Sequence, residues 1–352
     1  MIKQGRDYND NRSLLRDYIS EEELWACTTC NACATECPIN INHPSVIIDM
    51  RRYLVLEEGS APGELKAVFN NIENNGAPWQ YSSEDRLNWA RDIGFSIPVM
   101  AEMAALGKQP EYLFWVGCAG AFDDRYKKVV RSFATILDRL GISYAVLGKE
   151  ETCTGDPARR AGNEMLFQMQ AFQVIDILNK YGVKKILTTC PHCYNVFKNE
   201  YPDLGGSFEV INYVKFLDSK LEDGSLSLKG LQSGKSVITY HDPCYLGRYQ
   251  NFYDEPRRVA ALGGELVEAG RSRETSFCCG AGGGLVFLGE EKGKRISHER
   301  TEQLLATGAA TVAAACPFCQ TMLGDAFTAL KPDGAPQLLD IAEIAASRLA
   351  GS

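Results

Sequence analysis

From residue 111 onward, short apolar runs alternate with longer stretches whose apolar positions recur every three or four residues. Residues 112–116 predict a buried strand, 126–140 an amphipathic helix, 142–147 a second strand, 165–180 a helix and 185–188 a third strand. The order then repeats, with strands predicted at 237–240, 265–268 and 311–315 and helices at 257–262 and 294–307. Alternation of this kind builds a parallel sheet, because a parallel connection needs a crossover long enough for a helix. Residues 1–110 lack it. They are polar and mixed, with a helix predicted over 44–56, where Val46, Ile47, Met50 and Leu54 share one side, and with loops at 59–63 and 76–79. The charged, glycine-containing stretch 220–235 marks a boundary. The expected fold class is α/β: a helical domain over 1–110, then two repeated α/β domains with parallel sheets over 111–235 and 236–352.

The cysteines sharpen that repeat. A chain of 352 residues buries enough apolar surface to fold without staples, so thirteen cysteines are a surplus. The second block carries Cys118, Cys153, Cys190 and Cys193; the third carries Cys244, Cys278, Cys279, Cys316 and Cys319. Each ladder ends in a Cys-Pro-x-Cys segment, with His192 at the third position in one and Phe318 in the other. Cys118 precedes Cys153 by 35 positions, as Cys244 precedes Cys279, and the next step is 37 in both. If each cysteine follows a strand, all collect at one sheet edge, the usual crevice for ligands in an open α/β sheet. Helices starting after Cys190 and Cys316 would then aim their N-termini at a bound anionic group.

Five thiolates with two adjacent exceed what a cubane needs and suggest an opened or distorted iron–sulfur cluster, with one thiolate bridging irons. Gly280, Gly282, Gly283 and Gly284 read as backbone packed against that cofactor; no lysine follows where a phosphate loop would place one. The second block is one ligand short. Spacing pairs its Cys153 with Cys279, whereas the following glycine pairs it with Cys278. Its four cysteines suit a conventional cluster, an altered open cluster or zinc. His241 and His192 sit inside these motifs and are expected to hydrogen-bond to the sites rather than ligate. Asp242 is expected to position His241 or cap a turn, and Arg159 and Arg248 to offset charge nearby.

Cys27, Cys30, Cys33 and Cys37, followed by Pro38, have the spacing of the bacterial ferredoxin run and predict a [4Fe-4S] cluster. Small Thr28, Thr29, Asn31 and Ala32 let the loop wrap it. In two-cluster ferredoxins the fourth cysteine ligates the other cluster. Cys37 would therefore serve a second cluster whose own run lies upstream or in a partner subunit, unless all four rearrange around one cubane. Structural zinc is the alternative metal.

The net charge of −8 argues against a general nucleic-acid surface. No apolar run of 18 residues suggests a span, and the polar start carries no signal-peptide pattern. The odd cysteine count and the chain's size point away from a secreted disulfide framework and toward a reduced, cytoplasmic setting.

The two ladders resemble the paired cysteine-rich domains of heterodisulfide reductase and of related iron–sulfur oxidoreductases. The likeness is carried by 24–30, Trp115-Val116-Gly117-Cys118, Cys153-Thr154-Gly155-Asp156-Pro157, His241-Asp242-Pro243-Cys244-Tyr245-Leu246-Gly247-Arg248, Cys278-Cys279-Gly280-Ala281-Gly282-Gly283-Gly284 and Ala315-Cys316-Pro317-Phe318-Cys319. The resemblance implies a noncubane [4Fe-4S] cluster on Cys244, Cys278, Cys279, Cys316 and Cys319. In heterodisulfide reductase two such clusters cleave a disulfide; here a threonine replaces one ligand of the first motif, and Asn212 stands where relatives often carry histidine. Relatives often have two ferredoxin runs, some with an upstream membrane region, and this chain resembles the portion beginning just before the second run. The implied role is an electron-transfer subunit working between a donor subunit and a quinone or thiol/disulfide acceptor. Its partners would be a flavoprotein, a membrane quinone-reactive subunit or a second ferredoxin-type subunit, so that membrane association would be peripheral. The alternatives are a catalytic disulfide reductase, which requires an opening beside Cys244 and Cys279, and a zinc-binding scaffold.

Overall fold

The computed structural model describes residues 11–226, 236–290 and 292–349, so most of the boundary stretch expected over 220–235 lies outside the described residues. Two four-stranded sheets follow a helical N-terminal region. The first consists of β1 (Tyr112–Trp115), β2 (Tyr144–Ala145), β3 (Lys185–Thr188) and β4 (Glu209–Asn212) in the order β2-β1-β3-β4. The second has β5 (Val237–Tyr240), β6 (Glu265–Val267), β7 (Thr311–Ala314) and β8 (Gln337–Asp340) in the order β6-β5-β7-β8. Every pairing is parallel, with Leu113 opposite Ile186 and Ile238 opposite Thr311. Leu113, Phe114 and Trp115 are all buried, as a central strand covered by helices on both faces requires.

Three expectations change. The strand expected at 142–147 shrinks to Tyr144–Ala145, because Val146 turns to the N-terminal region instead. It donates to Pro98 O at 2.9 Å and accepts from Met100 N–H at 2.8 Å. The outer strands β4 and β8 were not anticipated. The helix expected at 257–262 spans Asp254–Ala260 and ends in a 3₁₀ turn.

The facing sides of the two repeats share one core. Phe133, Tyr213, Tyr240, Val259 and Ile341 belong to a single apolar cluster that crosses between the sheets. Helix Asp124–Arg139 of the first repeat packs on Ile341–Ser347 of the second, and Asp254–Ala260 of the second packs on Tyr213–Glu222 of the first. The exchange is reciprocal, so the repeats face each other about a local pseudo-two-fold. The N-terminal helix Gly63–Asn75 buries Leu65, Val68, Phe69 and Ile72 in the same cluster as Trp115 and Phe167. No helix among the described residues is long and apolar enough to cross a membrane.

Candidate iron–sulfur centres

All thirteen cysteines are free thiols. In each sheet the strand order reverses beside the first strand of the repeat, and the cysteines stand just past the C-terminal ends at that point. Cys118 follows β1, Cys190 follows β3, Cys244 follows β5 and Cys316 follows β7. This is where an open α/β sheet leaves a crevice.

The third-block cysteines come together. Cys278 contacts Cys244 and Cys279, and Cys319 contacts Cys316 while its Sγ lies 3.3 Å from that of Cys279. Cys316 is the N-cap residue of the helix Pro317–Leu330, whose first-turn N–H groups face its thiol. Against the cost of burial, Cys319, His192 and that N–H hold the Cys316 thiol below its ordinary range. Gly280 at φ +93° donates its N–H to Cys278 Sγ at 3.3 Å.

His241 is fully buried beside this set. Arg300 Nε donates to its Nδ1 at 3.0 Å, so the ring proton sits on Nε2. Burial and Arg300 push the imidazole well below its usual pKa, which keeps it neutral. Nε2 has no partner, yet a ring nitrogen of His241 lies within 4.8 Å of the Cys279 and Cys319 sulfurs. A buried N–H aimed at soft donors fits a sulfur-rich cluster, with His241 as a hydrogen-bond donor rather than a ligand. Asp242 does not hold His241; it takes Arg257 at 2.7 and 3.0 Å and accepts Arg273 N–H at 2.8 Å at the start of the turn Arg273–Thr275, the other role expected of it.

The second-block cysteines also converge. Cys118 lies beside Cys153 and Cys190 beside Cys193, and all four line a pocket with Trp115 and Phe318. Backbone geometry resolves the ambiguous alignment. Gly155 at φ +85° donates to Cys153 Sγ at 3.4 Å, matching Gly280 and Cys278. Thr154 Oγ1 then lies 3.9 Å from Cys193 Sγ, where Cys279 meets Cys319 in the other repeat. The missing cysteine is therefore the counterpart of Cys279, replaced by Thr154.

In the N-terminal run, Thr29 and Asn31 adopt φ +49° and +65°, which turn backbone N–H groups inward. Thr29 donates to Cys27 Sγ at 3.4 Å, Ala32 N–H points at Cys30, and Cys33 is influenced by both thiols. Cys37 turns to its own loop and takes Ile41 N–H at 3.4 Å. The run is docked onto the complete set, with Cys30 close enough to Cys278 for each thiol to perturb the other. Tyr249 donates to Thr29 O at 2.9 Å and Arg248 to Cys30 O at 3.2 Å.

Gly282 and Gly283 serve this docking, which corrects their reading as cofactor-facing backbone, while Gly280 turns its N–H to Cys278 Sγ. A Cβ on Gly282 or Gly283 would collide with the Thr28 or Cys27 carbonyl oxygen. Arg51 locks the junction. Fully buried, it donates to the carbonyls of Leu24, Trp25, Cys27, Arg160 and Gly283 at 2.7–3.3 Å. Arg248 thus ties loops together, while Arg159 pairs with Glu200 and Glu164 and lies over Phe167. The arginine at the degenerate set is Arg86, whose Nη2 is 3.5 Å from Cys118 Sγ and whose Nη1 is 3.2 Å from Glu151. Sequence reading missed Arg51, Arg86 and Arg300, since each lies far along the chain from the group it holds: the Cys27 carbonyl, the Cys118 thiol and the His241 ring.

The cysteine-rich domain family, CCG, matches residues 112–198 and 238–324, the two repeats. The probable iron–sulfur-binding oxidoreductase FadF of Bacillus subtilis is 45% identical over 349 residues, covering 98% of this chain and 49% of its own. The EtfAB:quinone oxidoreductase of Syntrophomonas wolfei is 42% identical over 345 residues, covering 95% of this chain and 47% of its own. The chain thus spans about half the length of these relatives. One subunit of the dihydromethanophenazine:CoB–CoM heterodisulfide reductase of Methanosarcina barkeri is 32% identical over 340 residues, covering 94% of this chain and 78% of its own. With two converging cysteine ladders on paired parallel sheets and this likeness along its length, the chain belongs to the family of iron–sulfur oxidoreductases with paired cysteine-rich domains that includes this heterodisulfide reductase component.

Proposed function

We propose that this chain is an electron-transfer subunit that relays electrons between a donor subunit and a quinone or thiol/disulfide acceptor. The observation that carries the reading is the close packing of the N-terminal run on the complete set, with Gly282 and Gly283 against the Thr28 and Cys27 carbonyls, Arg51 joining Cys27 O to Gly283 O, and Cys30 beside Cys278. A [4Fe-4S] cluster at Cys27, Cys30 and Cys33 and a noncubane [4Fe-4S] cluster at Cys244, Cys278, Cys279, Cys316 and Cys319 would supply the one-electron chemistry. Cys37 would serve a neighbouring cluster. The chain's own part is to hold the two ligand sets side by side, to keep water from Cys279, Cys316 and Cys319, and to aim His241 Nε2–H at them. Cys118, Cys153, Cys190 and Cys193 would hold a further iron–sulfur cluster or zinc.

Partner redox subunits belong to the same proposal, as the name of the EtfAB:quinone relative suggests, and a cytoplasmic location with peripheral attachment to a membrane through such a partner goes with it. A disulfide reductase would need an opening beside Cys244 and Cys279. Cys244 and Cys278 are part-exposed, but Cys279 is 4% exposed and the loop bearing Thr29 and Cys30 packs against Tyr245 and Tyr249 there, which favours relay.

The test is anaerobic purification of the full-length protein with iron, zinc and acid-labile sulfide counted, and electron paramagnetic resonance of Cys279→Ala beside the unaltered protein. The variant is expected to lose or alter the complete-set signal and retain the ferredoxin-type one. Unchanged spectra in every redox state would contradict the assignment, and zinc without sulfide would point to the scaffold.

A further inference from the structure

Between the N-terminal region and the two repeats lies an open cleft of ≈ 440 Å³. Its walls are aromatic and come from three parts of the chain: Trp79 and Tyr81 from the N-terminal region, Phe122 from the first repeat, Phe287 and Phe318 from the second. Tyr81 stacks on Phe122 with ring centroids 4.9 Å apart, and Trp79 meets Phe287 edge-on at 6.3 Å. The floor lies against the complete set. Val286 and Phe318 both line the cleft and both pack on Cys279, Cys316 and Cys319. No cysteine is among the lining residues, so a ligand there stands one side chain away from the thiols and touches none of them. The mouth lies beside Tyr81, which is 47% exposed.

Flat aromatic walls suit a flat conjugated ring. The charged lining residues are Asp123, Asp124 and Arg125; with their ion-pair partners Lys127 and Glu343 they make three carboxylates against two cations. That balance disfavours an anionic disulfide or a flavin nucleotide and tolerates a neutral ring. A disulfide would also have to touch the cluster to be cleaved, and Val286 and Phe318 stand in the way. Electron transfer to a stacked ring needs no such contact.

We infer that this cleft seats the ring of a quinone, with Val286 and Phe318 as the only side chains between the ring and the complete set. The inference rests on the proposed relay and names its acceptor. The ring takes two electrons, one at a time, across Val286 and Phe318, and two protons from solvent at the mouth, and leaves as the hydroquinone; the donor subunit of the relay supplies the electrons. No covalent bond to the chain forms or breaks. Trp79 and Tyr81 add an indole N–H and a hydroxyl, the donors that ring carbonyls take.

The experiment is equilibrium binding to the full-length, anaerobically purified protein, read by quenching of tryptophan fluorescence, with decylubiquinone, menadione, flavin mononucleotide and glutathione disulfide as separate probes. The two quinones are expected to bind saturably and the other two not to compete. Tyr81→Ala and Phe287→Ser should each weaken quinone binding about tenfold, the loss of one stacked or edge-on ring. Tyr81 is half exposed, so its variant carries the test if Phe287→Ser does not fold. Quinone binding that does not saturate, or that is equally tight in both variants, would overturn the inference, as would tighter binding of the flavin or displacement of the quinone by the disulfide. A second measurement separates the reading beneath it: quinone added to prereduced, desalted protein should oxidise the complete-set signal, more slowly in Tyr81→Ala. Saturable binding without that oxidation, or absence of iron from the unaltered protein, would overturn the relay and leave the cleft's affinity standing.

Discussion

Arg51 shows how much one side chain can do without touching a substrate. Its guanidinium satisfies five carbonyls from three segments: the approach to the first cysteine run, the turn after helix Asp156–Arg160, and the glycine loop after Cys279. A lysine offers one ammonium and cannot reach the same fork of acceptors. Arg51→Lys should cost about 3 kcal/mol or more, through carbonyls left buried without partners. Iron should be lost first from the ferredoxin-type site. Thermal unfolding and metal counts check this; an unshifted transition with full iron would contradict it. At this scale the sequence was legible wherever function is local. The spacing of the cysteines alone placed nearly every thiol in its set, because thiolates converging on one group must recur at the ends of repeated elements. It did not reveal Arg51, Arg86 or Arg300, whose meaning depends on which loops meet in space. It also left open whether Cys153 matches Cys278 or Cys279; only the φ of Gly155 and its N–H to sulfur decided that.

Among elements, the paired edge strands β4 and β8 end on helix caps that differ between the repeats. Asn212 caps Tyr213–Glu222 by accepting Val214 N–H at 2.9 Å. Asp340 caps Ile341–Ser347 by accepting Ala342 N–H at 2.9 Å, and also accepts the Tyr213 hydroxyl at 2.8 Å across the repeat interface. Burial pushes the Asp340 carboxyl from 3.8 up to about 8, with Glu343 adding to the rise and Tyr213 and Arg125 opposing it. A raised carboxyl pKa means that the native state keeps a proton the unfolded chain releases. Its contribution is complete below about pH 4 and is lost as pH rises to about 8, by about 1.4 kcal/mol per pH unit. Asp340→Asn should flatten that decline in denaturant titrations run from pH 5 to 8; parallel curves would count against it. These strands escaped sequence reading because each offers two apolar residues flanked by polar ones, Val210 and Ile211 or Leu338 and Leu339, too short a pattern for periodicity to separate from a loop. The longer helices Asp124–Arg139 and Glu164–Lys180 were legible within two residues, because their apolar faces persist over several turns.

On the scale of the whole molecule, two repeats exchange helices about a pseudo-two-fold, share one core between them and face their cysteine sets toward each other. The N-terminal run closes on the complete set, and Gly282 and Gly283 permit the approach because any side chain there would strike the Thr28 or Cys27 carbonyl. The repeat itself was readable in the cysteine ladders. The closure was not, since nothing in the spacing of either motif says that they touch. The arrangement gives a continuous line of thiols from Cys27 and Cys30 through Cys278 to Cys279 and Cys319. The most direct measurement is electron paramagnetic resonance of the intact protein poised where both the ferredoxin-type and the complete-set centres are paramagnetic. Ligand sets packed this closely predict a spectrum split or broadened by spin–spin interaction, which collapses to the ferredoxin-type signal alone in Cys279→Ala. Two sharp, additive signals with no interaction would contradict it.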